Sequence, residues 1–196
     1  MEFYELKLTN EEPYAVFLRV GEVAWAPEWP VCPDCGARIG VRDWLPPHNV
    51  RIQKGRLGDL CTNLRSFFVS ERARQVLERA KLVGLRFSDT PVSARRKIAP
   101  GYLVYPPHTL TLMDEEASGI VLEELVGCDT CRVAQRKRVE CIRVQEATWR
   151  GEDIFKPSGL FGVILVTSRF VETVEAAALS NFHFVHQDHY RKDWNW

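Results

Sequence analysis

Two pairs of cysteines, Cys32 with Cys35 and Cys128 with Cys131, stand 96 positions apart and constrain this chain more than any other feature. Two residues separate the thiols in each pair, so one tight turn can aim both sulfurs at a single ion. Two such turns supply the four ligands of a closed tetrahedral zinc site, with no position left for water. One CxxC alone reads equally as a redox pair. Two in one chain favour metal; the alternative is four reduced, partly buried cysteines without one. Such knuckles usually lie about 15–20 residues apart, whereas residues 36–127 intervene here. The site would close over a large inserted unit. Gly36 follows the first knuckle and relaxes a backbone that needs positive φ; Arg132 stands in that place after the second.

The 196 residues suffice for one large domain or two small ones. Hydrophobic residues make up 45% and charged residues 27%, an ordinary globular balance. The 26 basic and 26 acidic residues cancel, which argues against a general nucleic-acid binder with its basic excess. No apolar run approaches the ~20 residues of a membrane span. The start, Met1 to Leu6, lacks the basic and apolar regions of a secretory signal. Six cysteines without a signal point to a reducing cytoplasm and to metal rather than disulfides. Cys61 and Cys141 fall outside the knuckles and are expected to be buried as small hydrophobes.

Residues 68–87 align without a gap onto 165–184 at an offset of 97. Identities fall at Val69/Val166, Arg72/Arg169, Glu78/Glu175, Ala80/Ala177, Leu82/Leu179 and Phe87/Phe184. The knuckles repeat at nearly the same offset, so the chain reads as two related halves. Each half would hold a knuckle followed by a strand–helix–strand unit. Short apolar runs at 66–69 and 162–166 suit buried strands. Ser70 and Thr167 are N-caps. Ala73, Val76, Leu77 and Ala80 form one helical apolar face, and Phe170, Val171, Val174 and Ala177 the other. Gly84 and Asn181 tolerate the left-handed conformation that ends a helix. Strands are also expected at 3–8 and 14–20, split by a turn at 10–13, and at 119–126 and 139–145 around the second knuckle. Residues 26–50 read as mostly loop and 91–107 as a linker, with a strand at 102–105 as an option. The expected fold class is α+β: a zinc-ribbon-like four-cysteine element with two pseudo-duplicated strand–helix–strand units. The halves would be 1–100 and 101–196, stapled by zinc into one compact domain.

A paired-CxxC chain of this size, with Asp153 to Pro157 followed by Val163 to Glu172, resembles the myxobacterial double-CXXCG immunity family. The resemblance covers most of the chain. It is most specific at the first knuckle, at Gly58-Asp59 with the following helix, and at the C-terminal unit. Arg132 departs from the glycine of the family pattern. The family is associated with the Sit lipoprotein toxins of kin discrimination. The resemblance implies a cytoplasmic protein that binds and silences a cognate toxin. The competing reading is a zinc-ribbon nucleic-acid-binding regulator. No catalytic constellation is present: there is no Gly-rich phosphate loop, GxSxG or HExxH, so the chain is not expected to be an enzyme.

Between Thr109 and Cys131 stand Asp114, Glu115, Glu116, Glu123, Glu124 and Asp129, with no Lys or Arg. Residues 132–143 then carry Arg132, Arg136, Lys137, Arg138 and Arg143 against Glu140. The two segments are either solvated faces that partly neutralise one another or contact surfaces. As a contact surface, the first five acids would steer a basic toxin, and the basic segment would touch phosphates. His183, His186 and His189 recur every third residue, which puts successive strand side chains on opposite faces and converges poorly on a metal. Trp25 and Trp29 are expected to pack beside the knuckles. Trp194 and Trp196 are either docked on the domain or part of a contact surface.

Overall fold

Ser70 and Thr167 each end a strand and begin a helix. The Ser70 hydroxyl accepts the Ala73 N–H at 3.1 Å, and the Thr167 hydroxyl accepts the Phe170 N–H at 3.4 Å, as N-caps do. The structure is a computed structural model that describes residues 1–9, 12–15, 17–52, 55–62, 67–94 and 97–193. The expectations for Trp194 and Trp196, and parts of those at 10–13, 14–20 and 66–69, lie outside the described residues.

In chain order the strands are β1 (Phe3–Lys7), β2 (Phe17–Arg19), β3 (Ala24–Trp25), β4 (Trp44–Leu45), β5 (Val50–Ile52), β6 (Leu60–Thr62) and β7 (Phe67–Ser70). After helix α1 (Glu71–Arg79) come β8 (Phe87–Asp89), β9 (Val92–Ala94), β10 (Lys97–Ala99) and β11 (Gly101–Val104). Then follow β12 (Val121–Leu125), β13 (Ala134–Val139), β14 (Ile154–Phe155) and β15 (Leu165–Thr167). Helix α2 (Ser168–Ala176) leads to β16 (His183–His186) and β17 (Lys192–Asp193). They form five sheets: β6-β7-β11-β8, β14-β15-β1-β16, β10-β9-β5-β2, β12-β13-β17 and β3-β4.

The expected α+β fold with a zinc-ribbon-like element is overturned. Among the described residues strands dominate, and the two α-helices have nine residues each. The second knuckle sits at the tip of the β12–β13 hairpin, but the first lies in a loop pinned by the isolated bridge Val31–Arg38. Pro27, Pro30 and Pro33 lack the N–H that a ladder needs there. The strand after the second knuckle begins at Ala134 rather than 139. Residues 91–107 are no linker either. They hold β9, β10 and β11, and β11 is an interior strand paired on both sides.

The two strand–helix–strand units are present as β7-α1-β8 and β15-α2-β16, and their sheets match in order and register. Val69 lies between Leu60 and Tyr102; Val166 lies between Ile154 and Tyr4. Phe87 pairs with Val104, and Phe184 with Leu6. The place that β11 takes in one sheet is taken in the other by β1, from the far end of the sequence.

Both central strands are buried on two faces, which is why their sequences are continuous apolar runs. Successive strand side chains point oppositely. Phe67, Val69, Ile164 and Val166 therefore enter a shared core with Leu77, Phe170 and Val174. Phe68 turns to a second core with Phe17, Trp44 and Val92, and Leu165 to a third with Phe3, Phe155 and Ile142. The helices end at Arg79 and Ala176, with Ala80 and Ala177 as C-caps, and the next residues, Lys81 (φ 52°) and Ala178 (φ 47°), turn left-handed. Gly84 and Asn181 are also left-handed, at 96° and 65°, but lie beyond the helix ends in the approach to the next strand.

Each helix is capped by the other unit. Arg72 donates to the Ala177 and Ala178 carbonyls at the end of α2, and Arg169 to the Ala80 and Lys81 carbonyls at the end of α1. A cation at a helix C-terminus is favoured by the exposed carbonyls and their dipoles. A buried carboxylate holds each arginine. Asp59 accepts from Arg72 at 2.8 Å, from the Ser70 hydroxyl at 2.6 Å and from the Ser180 N–H at 2.9 Å. Asp153 accepts from Arg169 at 3.0 Å, from the Thr167 hydroxyl at 2.8 Å and from the Val83 N–H at 2.9 Å.

Burial alone would raise the Asp59 pKa. The Ser180 and Ser70 hydrogen bonds and the Arg72 charge outweigh it, so the net shift is downward. A carboxylate depressed in the folded state stabilises above its unfolded pKa, about 3.9. That contribution is lost as pH falls through the folded value. Asp59→Asn should therefore cost about 1–3 kcal/mol at pH 7, by leaving buried donors unsatisfied. Urea unfolding of both proteins checks this: the gap between them should narrow when the measurement is repeated near pH 3.

Candidate metal centre

The four knuckle cysteines converge. Cys32 Sγ lies 3.8 Å from Cys128 Sγ, Cys35 Sγ lies 3.8 Å from Cys131 Sγ, and all four sulfurs fall within 4.8 Å of one another. Each sulfur thus faces its counterpart 96 positions away. The two turns are built alike. The Gly36 N–H bonds the Cys32 carbonyl at 2.9 Å, and the Arg132 N–H bonds the Cys128 carbonyl at 2.7 Å. Gly36 has φ 72° and Arg132 has φ 46°, so the second knuckle demands the left-handed backbone without glycine. The Arg132 side chain offsets the cost with ion pairs to Glu115 at 2.7 Å and Asp129 at 3.4 Å. Asp34 and Thr130, also 96 apart, are joined by a hydrogen bond across the knuckle tips.

The cluster is shielded on one side. Cys32 and Cys131 are buried against Ile39 and Val133, while Cys35 is exposed. A hydrogen bond from the Ala37 backbone, followed by one from Cys128, draws the Cys35 thiol down to about 7. Burial pushes the Cys131 thiol up to about 11. An ion entering the cluster has to displace the thiol protons. Four thiolates in this arrangement could hold a metal ion.

Sequence reasoning missed what braces the second knuckle. Arg136 is 6% exposed, and its guanidinium donates to the carbonyls of Gly159, Ala134 and Arg132. The Ser158 hydroxyl donates to the Cys131 carbonyl. Strand alternation was the available signal for Arg136, because Ala134 and Arg136 share the buried face of β13. A Cβ at Gly127 would collide with Cys131 Sγ, so that glycine admits the sulfur.

The acidic segment is partly engaged inside the chain. Glu115 binds Arg132, Glu123 binds Lys137 at 3.4 Å, and Asp114 accepts the Ala117 N–H at 2.9 Å. Glu116 and Glu124 are exposed. The basic segment is engaged throughout. Besides Arg132, Arg136 and Lys137, Arg138 binds Glu140 at 3.1 Å and Arg143 binds Asp188 at 2.6 Å. His186 faces Asp188 at 3.4 Å and stacks edge-on with His189, while His183 sits three residues earlier on β16. The histidines are not among the groups of ligand atoms that converge within metal-binding distance among the described residues. Cys61 is buried, and burial raises its thiol to about 11, whereas Cys141 is only partly buried. Trp29 is stacked by Arg38, which closes the loop of the first knuckle, and by Arg42. Among the described residues, no helix is long and apolar enough to cross a membrane.

No curated protein matches the chain. A family model described as "Immunity protein family (Imm11)" matches residues 42–189, which take in the second knuckle and both strand–helix–strand units but not the first knuckle. The match spans well over half of the sequence, and the chain belongs to the Imm11 immunity protein family.

Proposed function

We propose that this chain neutralises a cognate antibacterial toxin by covering the toxin's active or substrate-binding surface, without catalysis of its own. The family match over residues 42–189 carries the reading. The finer proposal is an immunity protein of the myxobacterial double-CXXCG kind, acting in the cytoplasm against a toxin used in kin discrimination. A standard interface would bury about 1,600 Å² in total. Asp114, Glu115, Glu116, Glu123 and Glu124 are the proposed steering surface, with Glu116 and Glu124 the most available to a basic partner.

The proposed ion at Cys32, Cys35, Cys128 and Cys131 is structural zinc. Sulfurs about 2.3 Å from a tetrahedral centre lie about 3.8 Å apart, which agrees with both cross-knuckle separations. Zinc held by four thiolates supplies folding energy and offers no open position for chemistry. It would staple the two proposed halves, 1–100 and 101–196, into one compact domain. The nucleic-acid reading gains no support, because the cations of residues 132–143 already have partners within the chain.

Co-expression with the product of the neighbouring toxin gene should restore growth, and the two proteins should purify together. Growth arrest despite high expression, with no complex recovered, would overturn the immunity reading. Within a confirmed complex, Glu116→Lys with Glu124→Lys should slow association and weaken its salt dependence; unchanged kinetics remove those acids from the interface. Elemental analysis should find one zinc per chain, and Cys35→Ser should lower the melting temperature by several degrees. Absence of zinc together with an unshifted melting temperature would refute the metal assignment.

A further inference from the structure

A cavity of about 330 Å³ opens where the loop after the first knuckle, the β3–β4 ribbon, strands β2, β7 and β11, and the segment leading into β15 converge. That volume is at the lower end for small-molecule sites. Its apolar wall includes Ile39, Trp44, Phe67, Leu103, Leu160 and Ile164, and Phe161 stands 46% exposed among the lining residues. The wall is therefore assembled from chain segments far apart in sequence. The charged lining is unbalanced: among the described residues it comprises Arg19, Arg42 and Lys156 against Asp43.

These charges are not equivalent. Arg19 rests on the rings of Trp25 and Trp44, 4.9 Å from each, and Arg42 lies over Trp29 at 5.1 Å. Asp43 is paired with Arg86 at 3.4 Å. The Lys156 backbone is fixed by hydrogen bonds to Pro107 and Thr109. Among the described residues, however, no hydrogen bond or ion pair engages its ammonium. Burial lowers the Lys156 pKa, with Asp43 acting in the opposite direction. His108 also lines the cavity. Burial first, and the Lys156 charge second, bring its pKa down to about 4, so it is neutral at pH 7 and adds no further cation. A desolvated ammonium is stabilised by a carboxylate that reaches it through an apolar space.

We propose that this cavity is a binding site for a small carboxylic acid with an aromatic or aliphatic body, its carboxylate on Lys156 and its body against Trp44, Leu103 and Leu160. The cavity shares Ile39 with the apolar shield of the four-cysteine cluster but is lined by none of the four cysteines, and it does not depend on the toxin-binding reading.

The probe is 3-phenylpropionate, with the neutral 3-phenylpropanamide as its isostere, titrated into the full chain by calorimetry. Saturable 1:1 binding of the acid is expected, with the amide about tenfold weaker or more, the loss of one charge-assisted hydrogen bond. Lys156→Met keeps the aliphatic stem and should weaken the acid by a similar factor without changing the amide. Should Lys156→Met fail to fold, Phe161→Asp changes an exposed lining side chain and should weaken the acid by charge repulsion. The proposal is overturned if the acid does not bind, if acid and amide bind alike, or if a folded variant at Lys156 or Phe161 binds the acid as well as the parent does.

Discussion

The crossed pairing of Arg72 and Arg169 is the constraint on which the rest of this architecture depends. Nine-residue helices are too short to persist in water alone. Here the carbonyls at the end of each helix are met by the arginine near the start of the other. Asp59 and Asp153 orient those arginines and satisfy the turn that follows the opposite helix, through Ser180 and Val83. The carbonyls of Ala80 and Lys81, and of Ala177 and Ala178, are met from the opposite unit. The two units have to form together, and the shared apolar core of Val69, Leu77, Val166 and Phe170 lies between them. The sheet beside α2 is completed only when β1 arrives from the other end of the chain. Pairings of such sequence separation carry a large loop-closure cost, which slows folding.

The sequence made the central pieces legible, because they rest on local chemistry. The helix starts at Ser70 and Thr167 follow from one hydroxyl and one apolar face each. Arg72 and Arg169 stood out as identities at a common offset, although their crossed role requires three dimensions. What misled was pairing without local periodicity. Residues 91–107 carry prolines at both ends and look like a linker, yet Leu103 and Val104 are 1% and 4% exposed on an interior strand. The strands at β3, β4 and β14 are two residues long, too short to leave any alternation. The α+β expectation weighted two visible helices and could not count strands held in place by distant partners.

The four cysteines were legible as a set; their surroundings were not. Arg132 read as an irregularity because the position asks for glycine. In the fold it keeps the left-handed backbone and adds ion pairs to Glu115 and Asp129 that glycine could not make. A side chain can thus replace conformational freedom when its partners lie nearby, and those partners sat in the acidic segment of the sequence. Arg136 and Ser158 bind carbonyls around the same turn, so side chains brace the second knuckle in addition to the backbone bond that both knuckles make.

That exchange bears on how charge runs are read. The acids of residues 114–124 and the cations of residues 132–143 look like two surfaces with two partners. The hairpin β12–β13 brings them together, and Lys137 meets Glu123 across it. A charge already neutralised by a neighbour contributes little to the field that a partner feels at distance, and screening in salt reduces it further. Both halves of the pattern therefore shrink as recognition surfaces. On the acidic side, Glu116 and Glu124 keep their exposure, and an acidic contact with a toxin would have to centre on them rather than on the whole run.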